Sequence, residues 1–265
     1  MGAVNADDVM TRRSEPPDAV VRYAAHDDGL VDVHLPPGTG PRPLVVYVHG
    51  GFWRQQWDRR HGRPLANALA LRGYVVALPE YRRVGGGGGW PTTAQDIDAA
   101  LAALPDLLGG IGVTTTTTTL VGHSAGGHLV LWSANQPHPV QRVVALAPVG
   151  DLRMAAEHRM GEGAAVDFLG GTPDTLPEVY DAADPATRMR QRPPCDVVVV
   201  HGDQDEAVPV ESSRGLRRRF DWLDYRELPG VDHSAVIDPL SQAWPAVLDA
   251  IDGRPAAGTG ETLGA

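Results

Sequence analysis

The pentapeptide Gly122-His123-Ser124-Ala125-Gly126 sets a serine among small residues at the spacing G-x-S-x-G. A serine hydroxyl becomes a useful nucleophile only when a positioned base takes its proton. The chemistry implied is acyl transfer from an ester or amide, and a histidine and a carboxylate must come from elsewhere in the chain. The base is expected late, on a loop after the last strand, where His233 stands in Gly230-Val231-Asp232-His233-Ser234. The carboxylate should follow a central strand, and Val197-Val198-Val199-Val200 runs into His201-Gly202-Asp203-Gln204-Asp205. Asp205 is preferred to Asp203 because the loop has room there to turn towards His233. Backbone donors for a developing oxyanion, often the largest electrostatic contribution, are expected from Ala125 N–H and from Gly51 or Phe52 in His49-Gly50-Gly51-Phe52-Trp53.

These residues need particular elements to bring them together. Residues 114–121 are β-branched and apolar and read as a strand, while 125–135 read as a helix, so Ser124 sits at a sharp strand-turn-helix junction. Further strands are expected at 19–24, 30–35, 44–48, 74–78, 142–147, 197–200 and 225–228, with helices at 64–72, 93–108, 211–220 and 241–252. Such alternation implies an α/β protein with a mostly parallel eight-stranded sheet and helices on both faces. The first two strands lack a helix between them, which implies an antiparallel start. Two segments break the pattern. Gly85 to Gly89 is a run of glycines closed by Trp90-Pro91, expected as a loop near the mouth of the site or, equally, as a disordered spacer. Residues 149–192 exceed an ordinary connection and are expected to form a small helical cap. The expected organisation is one domain over 1–252 and a mobile tail at 253–265.

From about Val20 to Ile251 the chain resembles the α/β-hydrolase superfamily, and within it the esterase and arylformamidase (kynurenine formamidase) group. The resemblance rests on His49-Gly50-Gly51-Phe52-Trp53, the turn at Ser124, the segment from His201-Gly202 through Asp205 to Val208-Pro209, and His233. The order Ser, Asp, His is also that of the superfamily. It implies an α/β-hydrolase fold, a Ser124–Asp205–His233 triad and a double-displacement acyl transfer without metal or other cofactor. Carboxylester hydrolysis is the broader reading. An arylformamidase acting on N-formylkynurenine or a related aryl formamide is the sharper one, favoured by the tryptophan after the double glycine. An acylaminoacyl-type peptidase and a non-catalytic ligand receptor are the further alternatives.

Other residues receive plainer expectations. Phe52, Trp53, Trp57, Trp90 and Phe168 are candidates for a substrate pocket in which an aromatic group could stack. His49 and His201 are expected to hold loops, His123 to pack on the strand below, Asp96 and Asp98 to serve a helix N-terminus, and Cys195 to be a buried, inert thiol. The net charge is −10 over 265 residues, and all 23 basic residues are arginine. That balance argues against nucleic acid or an anionic membrane as partner and leaves a small ester or formamide substrate, with a homo-oligomer left open. With one cysteine, no H-E-x-x-H and no basic leader, the chain reads as metal-free and cytoplasmic.

Overall fold

Alternation within single strands determines how the sheet is covered. In β3 (Arg42–Val48), Leu44, Val46 and Val48 join one hydrophobic layer while Val45 and Tyr47 join the other, because successive strand side chains point to opposite faces. The computed structural model describes residues 9–256. Its other strands are β1 (Ala19–Arg22), β2 (Leu30–His34), β4 (Val75–Pro79), β5 (Thr115–His123), β6 (Arg142–Leu146), β7 (Asp196–Gly202) and β8 (Asp224–Leu228). They form one eight-stranded sheet in the order β1-β2-β4-β3-β5-β6-β7-β8. β2 pairs antiparallel with β1 and β4, and every other pairing is parallel. This is the α/β-hydrolase sheet, with the antiparallel start expected from the missing first helix.

Helices cover both faces. α1 (Arg63–Ala70) and α9 (Trp244–Asp252) bring Leu65, Leu69, Val247 and Ile251 into one layer. α2 (Thr92–Gly110), α3 (Ala125–Ser133) and α8 (Glu211–Arg219) bring Ile97, Leu104, Leu129 and Leu216 into the other. Between β6 and β7 the long segment holds four short helices: α4 (Leu152–Glu157), α5 (Met160–Leu169), α6 (Pro177–Ala183) and α7 (Pro185–Arg188). Leu152, Phe168, Tyr180 and Met189 of this insertion share the layer of α2 and α3. It is therefore built onto the main core.

Asp96 and Asp98 need a correction. Helix α2 begins at Thr92, so both lie past its first turn, where the helix N–H groups already have partners. Asp96 instead accepts from Arg82 N and Nε at 2.9 Å, and Asp98 accepts from His138 Nε2 at 3.0 Å. Cys195 is only half-buried, yet burial still pushes its thiol up. Among the described residues no helix is long and apolar enough to cross a membrane, and no group of three His, Cys, Asp or Glu could hold a metal. Of the tail expected at 253–265, residues 257–265 lie outside the described residues.

Candidate active site

β5 begins among partly exposed threonines and ends buried at Leu120–His123. There the chain turns at Ser124 with φ 55° and ψ −117°, a left-handed conformation that costs a residue with a β-carbon about 1–3 kcal/mol. Three hydrogen bonds hold it: Ser124 N donates to Leu146 O at 2.9 Å, and Ser124 O accepts from His128 N at 3.0 Å and Val149 N at 3.2 Å. The flanking glycines are a matter of space. A Cβ on Gly126 would lie 2.1 Å from Val48 O, and one on Gly122 2.3 Å from Gly126 O. Ser124 is thus lifted from the carboxyl end of β5, at the sheet edge where α/β folds bind ligands, and is 2% exposed.

The loop after β7 delivers Asp205. Its Oδ2 accepts from His233 Nδ1 at 2.6 Å and from His201 Nε2 at 3.1 Å. Its Oδ1 accepts from Ala207 N at 2.9 Å and Val208 N at 2.7 Å. Burial alone would raise this carboxyl, but the hydrogen bonds from His201 and His233 hold it well below the usual carboxylate range. Because a carboxylate only accepts, His233 carries its proton on Nδ1 and leaves Nε2 as the basic nitrogen. Asp203 is occupied elsewhere: its Oδ1 accepts from Gly230 N at 2.7 Å. His201 holds the loop, donating to Val208 O at 2.9 Å while Nδ1 lies 2.7 Å from Ser213 Oγ.

The loop after β3 carries Gly51 and Phe52, two of the residues expected to supply oxyanion donors. Gly51, Phe52 and Trp53 have φ of 109°, 51° and 56°. Among the described residues, the N–H groups of Gly51, Phe52 and Ala125 have no hydrogen-bond acceptor. The loop meets the serine turn at Gly50, where a Cβ would lie 3.0 Å from Ser124 Cβ. Its base is pinned by a polar network that sequence reasoning did not identify. His49 Nε2 donates to Glu80 Oε1 at 2.7 Å, and Arg59 N donates to Glu80 Oε2 at 3.0 Å. Arg83 adds an ion pair at 2.9 Å. Burial opposes charge on Glu80, yet His49 and these cationic partners bring it down to about 2. Arg59 reaches on to the buried Asp32, which also pairs with Arg63.

The expected aromatic pocket needs correcting. Trp53 and Phe168 are each 1% exposed and stack on one another with centroids 4.5 Å apart. They spend their faces on each other and form wall rather than lining. Trp57 packs against Gly51 and His61, and Trp90 meets Trp132 edge-on at 5.3 Å. Phe52, half-buried, lies against Gly161 of α5, where a Cβ would come within 2.7 Å of the ring. The insertion is also tied to the oxyanion loop by Arg54, which pairs with Asp167 at 3.4 Å and with Glu162 at 3.7 Å.

His123 does more than pack on the strand below it. Its Nε2 is 2.9 Å from His233 O, and the two rings lie 4.6 Å apart. No local pattern could announce a contact across 110 positions of sequence.

The chain is similar to esterase LipC of Mycobacterium tuberculosis, 30% identical over 218 residues covering 74% of this chain and 53% of that protein. It is similar to kynurenine formamidase of Drosophila melanogaster, 26% identical over 227 residues covering 79% of this chain and 72% of that one. Among solved structures, esterase B of Lactobacillus rhamnosis has the same fold, with a TM-score of 0.73 and 20% identity over 92% of this chain and 86% of that one. The chain spans about half the length of the first curated relatives it matches. The profile of the BD-FAE family matches residues 31–220.

Proposed function

Because the chain belongs to the BD-FAE family of α/β hydrolases, we propose that it hydrolyses small carboxylic esters through an acyl-enzyme on Ser124. One observation carries the reading: His233, held by Asp205 at 2.6 Å with its Nδ1 protonated, stands on the loop that His123 ties to the serine turn. In the first half-reaction Ser124 Oγ attacks the ester carbonyl carbon while His233 Nε2 takes the hydroxyl proton. The carbonyl electron pair moves onto oxygen and is stabilised by the free N–H groups of Ala125 and the Gly51–Phe52 turn. The carbon–oxygen bond to the alcohol then breaks, and the imidazolium, stabilised by Asp205, returns its proton to the departing alkoxide. Water repeats the sequence on the acyl-serine and releases the acid.

An aryl formamide is the second reading. It is favoured by the closeness of the site: Ser124 is 2% exposed and Phe52 lies against Gly161, and formyl is the smallest acyl group. Similarity to a kynurenine formamidase supports the same substrate class. Turnover of N-formylkynurenine and of p-nitrophenyl esters of increasing chain length, by wild type and Ser124→Ala, tests both readings. Fast cleavage of short esters that is lost in Ser124→Ala is expected. Preference for the formamide would select the second reading. Equal turnover by Ser124→Ala would remove the serine from the nucleophile's place.

A further inference from the structure

We infer that His123, the residue before the nucleophile, is a positioning residue for the base: its Nε2–H fixes the backbone of His233 and thereby sets the place of that imidazole relative to Ser124. The inference rests on the reading of Ser124 and His233 given above.

The carbonyl of His233 can only accept. The contact at 2.9 Å therefore puts a proton on His123 Nε2. Among the described residues no other group donates to that carbonyl. Burial pushes His123 well below the usual imidazole range, and the neighbouring His233 adds to the effect. His123 is thus neutral at working pH, which leaves Nδ1 as a lone pair. Among the described residues that nitrogen makes no hydrogen bond, and it faces the loop after β3, where a Cβ on Gly50 would lie 3.1 Å from it and 2.9 Å from His123 O.

One flat side chain consequently bonds to the backbone of His233 and lies beside the loop at Gly50, and its own backbone leads into Ser124. The His233 ring also leans on it at 4.6 Å and a tilt of 44°. Neutrality matters here, because a second cation at that distance would oppose formation of the His233 imidazolium. An apolar ring could fill the same volume but could not hold the carbonyl.

Three variants separate holding from filling. In His123→Gln the amide nitrogen comes close to the place of Nε2 and keeps the donor. In His123→Asn the shorter side chain puts its amide near the place of Nδ1, out of reach of His233 O. In His123→Phe the ring stays and the donor goes. With p-nitrophenyl acetate, Asn and Phe are expected to lower kcat roughly tenfold to a hundredfold, the scale for a group misplaced by about 1 Å, with KM little changed. Gln should recover most of the loss. Far-UV CD and thermal melts on each variant separate misplacement from unfolding, and the Gln and Asn pair carries the test if Phe does not fold. Wild-type kcat in folded Asn or Phe variants, or a Gln variant as slow as Phe, would overturn the inference. Ser124→Ala, assayed alongside, keeps the two readings apart: activity in that variant overturns the nucleophile, whereas its inactivity beside a fully active His123→Phe overturns only the role of His123.

Discussion

Asp205→Asn preserves shape and reverses one hydrogen bond. Backbone N–H groups of Ala207 and Val208 grip Oδ1 at 2.9 and 2.7 Å, so the amide oxygen stays with them and the NH2 takes the place of Oδ2. That place now receives two donors, His233 Nδ1 at 2.6 Å and His201 Nε2 at 3.1 Å. An NH2 facing His233 makes Nδ1 an acceptor and moves the ring proton to Nε2. The nitrogen that should take the Ser124 proton is then blocked, and the charge that stabilised the imidazolium is gone. The expected loss in kcat is on the order of 10⁴, or about 5 kcal/mol of barrier. Asp203→Asn keeps an oxygen for Gly230 N, which donates to Oδ1 at 2.7 Å, and should cost less than about tenfold, within the range of a modest hydrogen-bond change. Both variants are assayed with p-nitrophenyl acetate, with a thermal melt on each. Asp205→Asn within tenfold of wild type, or Asp203→Asn equally slow, would refute the assignment.

Gly50→Ala forces a Cβ to 2.9 Å from His123 O and 3.0 Å from Ser124 Cβ; it should lower kcat by about 10² with the fold intact, and unchanged kinetics would place the oxyanion loop elsewhere. Stability should fall on acidification. Burial pushes His61 down to about 3 and His128 down to about 4, so the unfolded chain takes up these protons first, below about pH 6.5. The stability is present above that pH, and each imidazole should cost about 2 kcal/mol between pH 7 and pH 5, offset in part by Asp184, which burial pushes up to about 7 so that it gains its proton in the folded state over the same range; urea titrations with equal midpoints at the two pH values would contradict the net fall. Trp53→Ala removes a fully buried ring stacked on Phe168 and should cost about 3–5 kcal/mol of stability; a raised KM with an unchanged melting temperature would return Trp53 to the substrate pocket.

The sheet was legible because strand patterning is local. Val197 to Val200 is apolar on both faces because both faces of β7 are covered, with Val197 and Val199 in one hydrophobic layer and Val198 and Val200 in the other, and the threonines of β5 suit a pleated backbone. Ser124 could be read from its own flanks, and Asp205 and His233 from their places after β7 and β8. The aromatics were harder. Trp53 and Phe168 lie on separate elements, and nothing near either residue says that they face each other rather than a ligand. The helical character of the insertion was legible, but the bounds of its individual helices were not. These helices are short, and Arg159, Gly161, Glu162 and Gly163 all take positive φ, which breaks the 3.6-residue period by which a helix is recognised. The Glu80 and Asp32 network joins residues from four segments, so no stretch of sequence contains it.

The ties between the insertion and the loop after β3 bear on how such proteins diversify. The stack of Trp53 on Phe168, the seat of Phe52 on Gly161 and the pairing of Arg54 with Asp167 make the two segments one mechanical unit. A different insertion grafted between β6 and β7 would leave the loop after β3 without its buttress, even with Ser124, Asp205 and His233 retained. Exchange between relatives should succeed only when residues 51–54 travel with residues 159–168, so the unit to be exchanged is a pair of segments more than a hundred residues apart.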